Sequence, residues 1–161
     1  MKKIIGSFVL GYLMFGLPSA FAKPEAADEL NELLRGEVSA VETYHQAMKT
    51  VSAPELTQAL KHHEDAVSTL QEQIRKVGGT PVQSSGVWGT WASAVTGAAK
   101  VISRDAALKA LKEGEEHGVK EYEEKLKDDD VPAEAKNIIQ ERFLPAQKAH
   151  IASLDAIMAR N

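Results

Sequence analysis

The 161-residue chain contains no cysteine, and this absence excludes two kinds of chemistry. No disulfide can staple the fold, and no thiolate can serve as a nucleophile or a metal ligand. A hydrophobic core must therefore hold the domain together.

Basic residues are outnumbered as well, with 19 Lys and Arg against 23 Asp and Glu and a formal net charge of −4. An acidic chain without a basic block is a poor ligand for nucleic acid or anionic membranes, so the sequence predicts neither partner. A glycine-rich phosphate loop, a nucleotide fingerprint, a His-Glu-x-x-His motif and a serine-histidine-acid arrangement are also missing. The sequence gives no support for a hydrolase or a kinase.

Long apolar runs are confined to the start of the chain. Lys2 and Lys3 precede the apolar run 4–17, and Ala20-x-Ala22 supplies a small-x-small cleavage site. This pattern is typical of a secretory signal peptide, whereas a retained anchor needs about 20 apolar residues. We expect residues 1–22 to be a cleaved signal peptide and residues 23–161 to form one domain. The mature domain is then periplasmic or secreted in a bacterium, without stable membrane insertion.

Four later stretches carry apolar residues at alternating steps of three and four, the spacing of a core-facing helical stripe. The first runs from Ala26 to about Val51. A capping box, with Ser52 as N-cap and Glu55 three residues on, predicts the start of the second helix. Gly78-Gly79 ends that helix, because glycine accepts the left-handed backbone of a C-cap.

The third and fourth helices have their own start signals. Ser103 or Asp105 can cap the third helix, and Pro132 opens the fourth at its N-terminal edge. Pro145 lies inside the fourth helix and predicts a kink, because proline removes one backbone hydrogen bond.

The connection 80–102 is longer than the others and contains Trp88 and Trp91, which suggest a short amphipathic helix. We interpret it as a crossover that lays both tryptophans over one end of a bundle, the alternative being an aromatic partner or membrane-interface site. The predicted fold is all-α, a ferritin-like up-down four-helix bundle. Its long crossover joins helices two and three, and its two halves are related by approximate two-fold symmetry.

Each stripe is interrupted by one polar residue, in the order Glu37, His63, Glu115 and His150. A carboxylate in an apolar core costs several kcal/mol unless it is paired, so four such residues in one core need an explanation. Two carboxylates and two imidazoles are ligands preferred by iron, manganese and zinc. The sequence therefore predicts a metal site at these four residues, with Gln147, one turn before His150, assisting.

A short pattern occurs twice around the two glutamates. Gly36-Glu37 is followed after six residues by Tyr44, and Gly114-Glu115 is followed after six residues by Tyr122. Each tyrosine shares the face of its glutamate and can donate a hydrogen bond to a carboxylate or to solvent there.

Two further expectations concern neighbouring residues. Counted from the helix starts at about 1.5 Å per residue, Glu37 and His63 differ in level by about one helical turn. Glu42 is nearer to the level of His63 but lies off the stripe, so it is a reserve candidate. The remaining histidines in the helical stretches are interpreted as flanking or surface residues, namely His45, His62 and His117.

The doubled Gly-Glu-x6-Tyr pattern with His63 and His150 resembles the ferritin-like superfamily. More closely, the run 30–37, a helix ending in Gly78-Gly79, a second Gly-Glu before a tyrosine and a final-helix histidine resemble a bacterial ferritin-like four-helix family whose function is not established. The superfamily's di-iron members carry a glutamate on two helices and a Glu-x-x-His pair on the other two.

The chain departs from the di-iron pattern at two positions, where Leu60 and Gln147 stand three residues before the histidines. With two carboxylates instead of four, a single metal or a weak dinuclear site completed by water is expected. Iron or manganese is the expected cofactor, and the resemblance then implies iron oxidation or peroxide handling. No catalytic residue is predicted, and enzymatic activity is left open.

The alternative hypothesis is a metal-free protein of the cell envelope with a structural or interaction role. In that case the buried Glu, His and Tyr residues form a polar network that fixes helix register. Homodimer formation and the identity of any protein partner are left open by both hypotheses.

Overall fold

The computed structural model describes residues 24–86 and 103–160, which contain α-helices and no strand. The helices are α1 (Pro24–Ala47), α2 (Pro54–Lys76), α3 (Arg104–Lys125), α4 (Ala133–Ile138), a π-helical turn (Ile139–Phe143) and α5 (Leu144–Ala159). The last three run on without a break, so the described residues form four helical segments and the all-α prediction is confirmed. The signal peptide, Trp88, Trp91 and the short crossover helix were predicted at positions outside the described residues.

The four helical segments form a closed ring, in which α1 contacts α2 and α3, and α5 contacts α2 and α3. Glu37 pairs with Tyr122 and Tyr44 pairs with Glu115, so α1 and α3 are antiparallel. Side-chain pairs show in the same way that α2 and α3 are each antiparallel to the last helical segment, which ends at α5. These pairs are Asp65–Arg142, Glu55–Arg160, Lys112–Asp155 and Lys148–Glu123. The directions in chain order are therefore up, down, down and up.

The segment after α2 turns back along α1. Gly78 has a φ of 81°, and a Cβ at Gly79 would lie 2.5 Å from Cβ of Ala27, so this turn packs closely against the start of α1. Asn31 donates to the Thr80 carbonyl at 3.1 Å. Further on, Ser85 donates to Oε2 of Glu42 at 2.9 Å. Glu42, the reserve metal ligand, therefore contacts this segment.

Two of the predicted helix starts are confirmed and one is wrong. Ser103 is the N-cap of α3, where its hydroxyl accepts a hydrogen bond from the Ala106 amide at 3.2 Å, and Pro132 immediately precedes α4. The N-cap of α2 is Ala53, because Pro54 already occupies the first helical position. Ser52 is therefore one residue too early to form a capping box.

A widened helical turn lies just before Pro145, where the sequence predicts a kink. The Leu144 amide donates to the Ile139 carbonyl, five residues back, where an α-helix would bond four back. Such a π turn accommodates one extra residue and rotates everything that follows around the helix axis. It therefore sets the direction in which Gln147 and His150 point.

The core consists of two apolar clusters with a polar layer between them. One cluster lies around the α1–α2 connection and includes Leu56, Leu108 and Leu154, and the other includes Leu34, Leu70 and Ile139. The buried polar residues between the clusters include Glu37, His63, Glu115, Gln147 and His150. Packing on both sides therefore isolates this layer from the bundle ends. None of the described helices is long and apolar enough to cross a membrane.

Candidate metal centre

Glu37 and His63 meet across the α1–α2 pair, where His63 Nδ1 donates to Glu37 Oε2 at 2.7 Å. The expected mismatch of one helical turn is therefore wrong. Because the two helices are antiparallel, level has to be measured from their shared connection. Glu37 lies about 15 Å before Ala47 and His63 about 14 Å after Pro54, at 1.5 Å per residue.

The other nitrogen of His63 reaches across the bundle to α3. His63 Nε2 lies 3.0 Å from Glu115 Oε1, and His150 Nδ1 lies 3.2 Å from the same oxygen. One ligand atom from each of His63, Glu115 and His150 lies within 4.8 Å of the other two. This buried group could hold a metal ion, because two imidazoles and one carboxylate are a common ligand set for transition metals.

The two tyrosines of the repeated pattern exchange partners between the copies. Tyr44 donates to Glu115 Oε1 and Tyr122 donates to Glu37 Oε1, each at 2.5 Å. Each tyrosine thus orients the glutamate of the other copy. Supporting hydrogen bonds of this kind hold ligand carboxylates in place at metal sites.

The charges of the layer are strongly coupled. Burial alone would lower the pKa of His63, but the charges of Glu37 and Glu115 outweigh it and raise the pKa to about 10. Burial would raise the pKa of Glu115, but the His63 charge and the hydrogen bonds from His150 and His63 hold that pKa down at about 2. Burial, followed by the Glu115 charge, raises the pKa of Tyr44 well above its usual range, so its hydroxyl remains a proton donor.

The hydrogen bonds of Glu115 are distributed unevenly between its two oxygens. Oε1 accepts from Tyr44, His63 and His150, whereas the buried Oε2 has no partner among the described residues. Buried oxygens of Glu121 and Gln147 are likewise without a partner within the described ranges. Unsatisfied buried acceptors call for a ligand, an ion or water. The unsatisfied oxygens of Glu115, Glu121 and Gln147 are groups that a bound cation can satisfy.

These oxygens belong to residues around one cavity of about 50 Å³, which we call the glycine-lined cavity. It lies between α1 and α3, and its walls include Gly36, Ala40, Gly114, Gly118 and Glu121. Gly118 is required by close packing, because a Cβ there would lie 2.1 Å from Gln147 Nε2.

Glu121 contributes a partly buried carboxyl group to this cavity, with Oε2 3.2 Å from the position of a Cβ at Gly36. Burial, together with the charges of Glu32 and Glu37, raises the pKa of Glu121 to about 7. This carboxyl group therefore changes charge near neutral pH.

A second, smaller cavity of about 20 Å³ lies on the other side of the layer and is lined by His62, His63, Gln147 and His150, among others. His62 Nδ1 lies 2.9 Å from His150 Nε2. Burial and the charges of His150 and His63 lower the pKa of His62, so it remains neutral at neutral pH. His62 thus holds the outer nitrogen of His150 while the inner nitrogen faces Glu115.

The structure brings all five sequence-predicted site residues into one buried layer. Glu37 accepts a hydrogen bond from Nδ1 of His63, the nitrogen that faces away from Glu115, and Gln147 packs against Gly118. Sequence reasoning missed Glu121 and interpreted His62 as a flanking residue. The signal for Glu121 was its place beside Tyr122 in the second copy of the repeat, where the first copy has Thr43. His45 is exposed, as predicted for a surface histidine.

No curated protein and no solved structure matches the chain. One family, described as "Domain of unknown function (DUF2383)", matches residues 25–128. The matched range includes Glu37, His63 and Glu115 and ends before Gln147 and His150. Because the match extends over more than half of the sequence, the chain belongs to the DUF2383 family.

Proposed function

We propose that this protein binds a divalent transition-metal ion in the core of its helical bundle, through His63 Nε2, Glu115 and His150 Nδ1. The observation that carries the proposal is Glu115 itself. Its Oε1 lies within 3.2 Å of both imidazoles, while its buried Oε2 has no partner among the described residues.

The surrounding residues have supporting roles in this proposal. Glu37 accepts from the far nitrogen of His63 and orients the ring, the arrangement found in carboxylate–histidine–metal sites. Gln147 offers an uncharged oxygen on the cavity side. Iron and manganese suit a site with two histidines and one or two carboxylates, and a bound redox metal would supply electron transfer to small oxygen species.

The fold and the location of the protein are part of the proposal. The helix order up, down, down, up occurs in bundles with one long crossover, among them the ferritin-like fold, and we propose that fold here. We also propose that residues 1–22 are a signal peptide and that the mature domain works in the bacterial periplasm or outside the cell. The mass of the protein recovered from a periplasmic extract tests this, since cleavage removes residues 1–22.

Metal binding is tested with the purified full chain after chelator treatment. Fe²⁺ or Mn²⁺ is added without oxygen, unbound metal is removed, and bound metal is measured by elemental analysis. We expect about one metal per chain for wild type and a loss of more than tenfold for His63→Gln combined with Glu115→Gln. His45→Gln combined with Glu123→Gln removes the same residue types at surface positions and should bind as wild type does. Less than about 0.1 metal per chain in wild type after reconstitution would contradict the proposal.

A second function, a metal-free structural or interaction protein, is favoured by the direct hydrogen bonds of the layer. His63 joins Glu37 and Glu115, and both tyrosines have carboxylate partners. The two functions differ in how metal affects stability. A ligand present at 100 times its Kd stabilises the folded state by about 2.7 kcal/mol, whereas Mn²⁺ or Fe²⁺ adds nothing to a network that does not bind it.

A further inference from the structure

We propose that a divalent transition-metal cation reaches Glu115 through the glycine-lined cavity, with oxygens of Glu121 and Gln147 as successive contacts on the way. The inference rests on the proposed function, because it concerns access to the same site.

A row of oxygens lies along α3. Glu115, Gly118 and Glu121 follow one another at steps of three residues, which is about 4.5 Å of rise per step. Gln147 enters this row from α5, where its Oε1 lies 3.2 Å from the position of a Cβ at Gly118. Glu115 Oε2, Gln147 Oε1 and Glu121 Oε1 all lack a hydrogen-bond partner in the part of the chain that the structure describes.

Burial increases along this row toward the predicted ligands. Glu121 is partly exposed, Gln147 is 5% exposed and Glu115 is 2% exposed. A cation that follows the three residues therefore passes from the surface into the polar layer. At each step it has an oxygen that replaces part of its hydration shell.

Open space lies beside the row. Gly36 and Ala40 on α1 and Gly114 on α3 keep the opposing walls small, and outside its own turn of helix a Cβ at Gly114 would meet no described atom within 4 Å. The cavity measures about 50 Å³. One water needs about 10–15 Å³ of such volume, so a cation can enter with part of its hydration shell.

The chemistry of these oxygens fits a cation as the occupant. The unpartnered oxygens along the row are two carboxylate oxygens and one amide oxygen, which are metal-coordinating groups. Carboxylate and carbonyl oxygens suit divalent cations such as Mn²⁺, and the two imidazoles lie beyond them at the inner end.

The cavity beside His62 is the competing route, and the structure disfavours it. Its volume is about 20 Å³, less than half that of the glycine-lined cavity. In addition, His62 Nδ1 lies 2.9 Å from His150 Nε2, so the two rings occupy the path between that surface and the layer.

The test measures the rate of metal uptake separately from the amount bound, with Co²⁺ as the probe because its visible absorption changes on coordination. The chelator-treated full chain is mixed with Co²⁺ in a stopped-flow instrument, and dissociation is measured by adding excess chelator. Glu121→Gln should slow uptake about threefold or more, because it removes the charge at the outer end of the route. Gly114→Leu, which narrows the cavity from the α3 side, should slow uptake as well.

Both variants should still bind the wild-type amount of Co²⁺ at equilibrium, and release should slow together with uptake. Glu124→Gln, on an exposed residue of α3, is the matched control and should keep the wild-type rate. Wild-type uptake rates in both Glu121→Gln and Gly114→Leu would overturn the route. If His62→Gln is the only variant in which uptake slows, the proposed route is overturned and the cavity beside His62 is the entry route. If wild type binds no Co²⁺ at equilibrium, the proposed function fails and the route fails with it.

Discussion

Tyr44 and Glu115 lie 71 residues apart in the chain, and the tyrosine hydroxyl donates a 2.5 Å hydrogen bond to Oε1 of the glutamate. Tyr122 and Glu37 make the reciprocal contact at 2.5 Å. The two copies of the repeated pattern therefore complete each other, so each carboxylate depends on the opposite half of the bundle.

The Tyr44→Phe variant should lose both stability and metal affinity, because it removes a buried donor to the proposed ligand Glu115. We expect a loss of about 1–3 kcal/mol in unfolding free energy. Metal affinity should fall about 10- to 100-fold, as for other supporting residues of metal sites. Tyr122→Phe is the matched variant and should cost similar stability with a smaller loss of affinity, because it acts on the site only through Glu37 and His63. Urea unfolding gives the stability change and metal titration gives the affinity change. Equal affinity losses in the two variants would contradict the assignment of Glu115 as the ligand and Glu37 as a supporting residue.

The metal-free protein should be most stable near pH 4.5, and its unfolding free energy should fall both above and below that pH. His63 has a folded pKa of about 10 against 6.5 for a free histidine, so its contribution is complete below pH 6.5 and is lost between pH 6.5 and 10. Glu115 has a folded pKa of about 2 against 4.5, so its contribution is lost as pH falls from 4.5 toward 2. The pKa of Glu121 is raised from 4.5 to about 7 in the folded state, so its contribution to stability is lost as pH rises from 4.5 to 7.

Urea unfolding in the presence of chelator at pH 5.5, 7 and 8.5 measures this dependence. His63→Gln should flatten the decline above pH 6.5, whereas His45→Gln, on an exposed residue, should keep it. A wild-type unfolding free energy that stays constant from pH 5.5 to 8.5 would show that His63 does not carry the predicted charge.

Alanine substitutions at Gly114 and Gly118, two glycines on one face of α3, should change the stability of the protein in opposite directions. A Cβ at Gly118 would lie 2.1 Å from Gln147 Nε2, so Gly118→Ala should displace the buried amide and destabilise the protein by about 1–3 kcal/mol. At Gly114 the Cβ would meet no described atom within 4 Å outside its own turn of helix, and alanine should add about 0.5–1 kcal/mol of stability through its better helix propensity. Thermal unfolding of the two variants compares them directly, and combining Gly118→Ala with Gln147→Ala should remove most of the penalty. Equal effects at the two positions would contradict the packing described.

Adding a carboxylate at position 147 should raise the metal affinity and lower the stability of the metal-free protein. Gln147→Glu supplies a charged oxygen beside Glu115, so metal binding should tighten, while the metal-free protein should become less stable at pH 8 because the new charge is buried. Leu60→Glu is the informative comparison, because Leu60 lies in the apolar cluster and its replacement should destabilise the protein with or without metal. Metal titration and unfolding measurements separate these outcomes. A Gln147→Glu variant that binds metal no more tightly than wild type would place that side chain outside the site.

The sequence was informative about the helices because their apolar stripes repeat with the period of the α-helix. The same stripes located Glu37, His63, Glu115 and His150, since a polar residue on a core-facing stripe is visible without a structure. The role of Ser103 as a cap was also readable, because N-capping depends on nearby backbone groups.

The sequence was less informative about anything that depends on how helices rotate and slide against one another. Glu121 and His62 lie beside the stripes, and whether such residues face a cavity or solvent is decided by the rotation of neighbouring helices. The π turn before Pro145 contains one extra residue, which rotates the faces of α5 around the helix axis. No periodicity in the sequence marks this turn. The expected difference in level between Glu37 and His63 was wrong for a simpler reason. In two antiparallel helices, the level of a residue has to be measured from the connection that the helices share.

The crossed contacts of Tyr44 and Tyr122 follow the rule of an isologous interface, in which each half presents the same residue to the other. A symmetric dimer of two-helix chains would carry every substitution twice, and its two half-sites would remain identical. Joining both halves in one chain removes that restriction. The halves have diverged at the positions of Thr43 and Glu121, and again at those of Leu60 and Gln147. The single chain can therefore carry the carboxyl group of Glu121 and the amide of Gln147 in one half only, which two identical halves could not do.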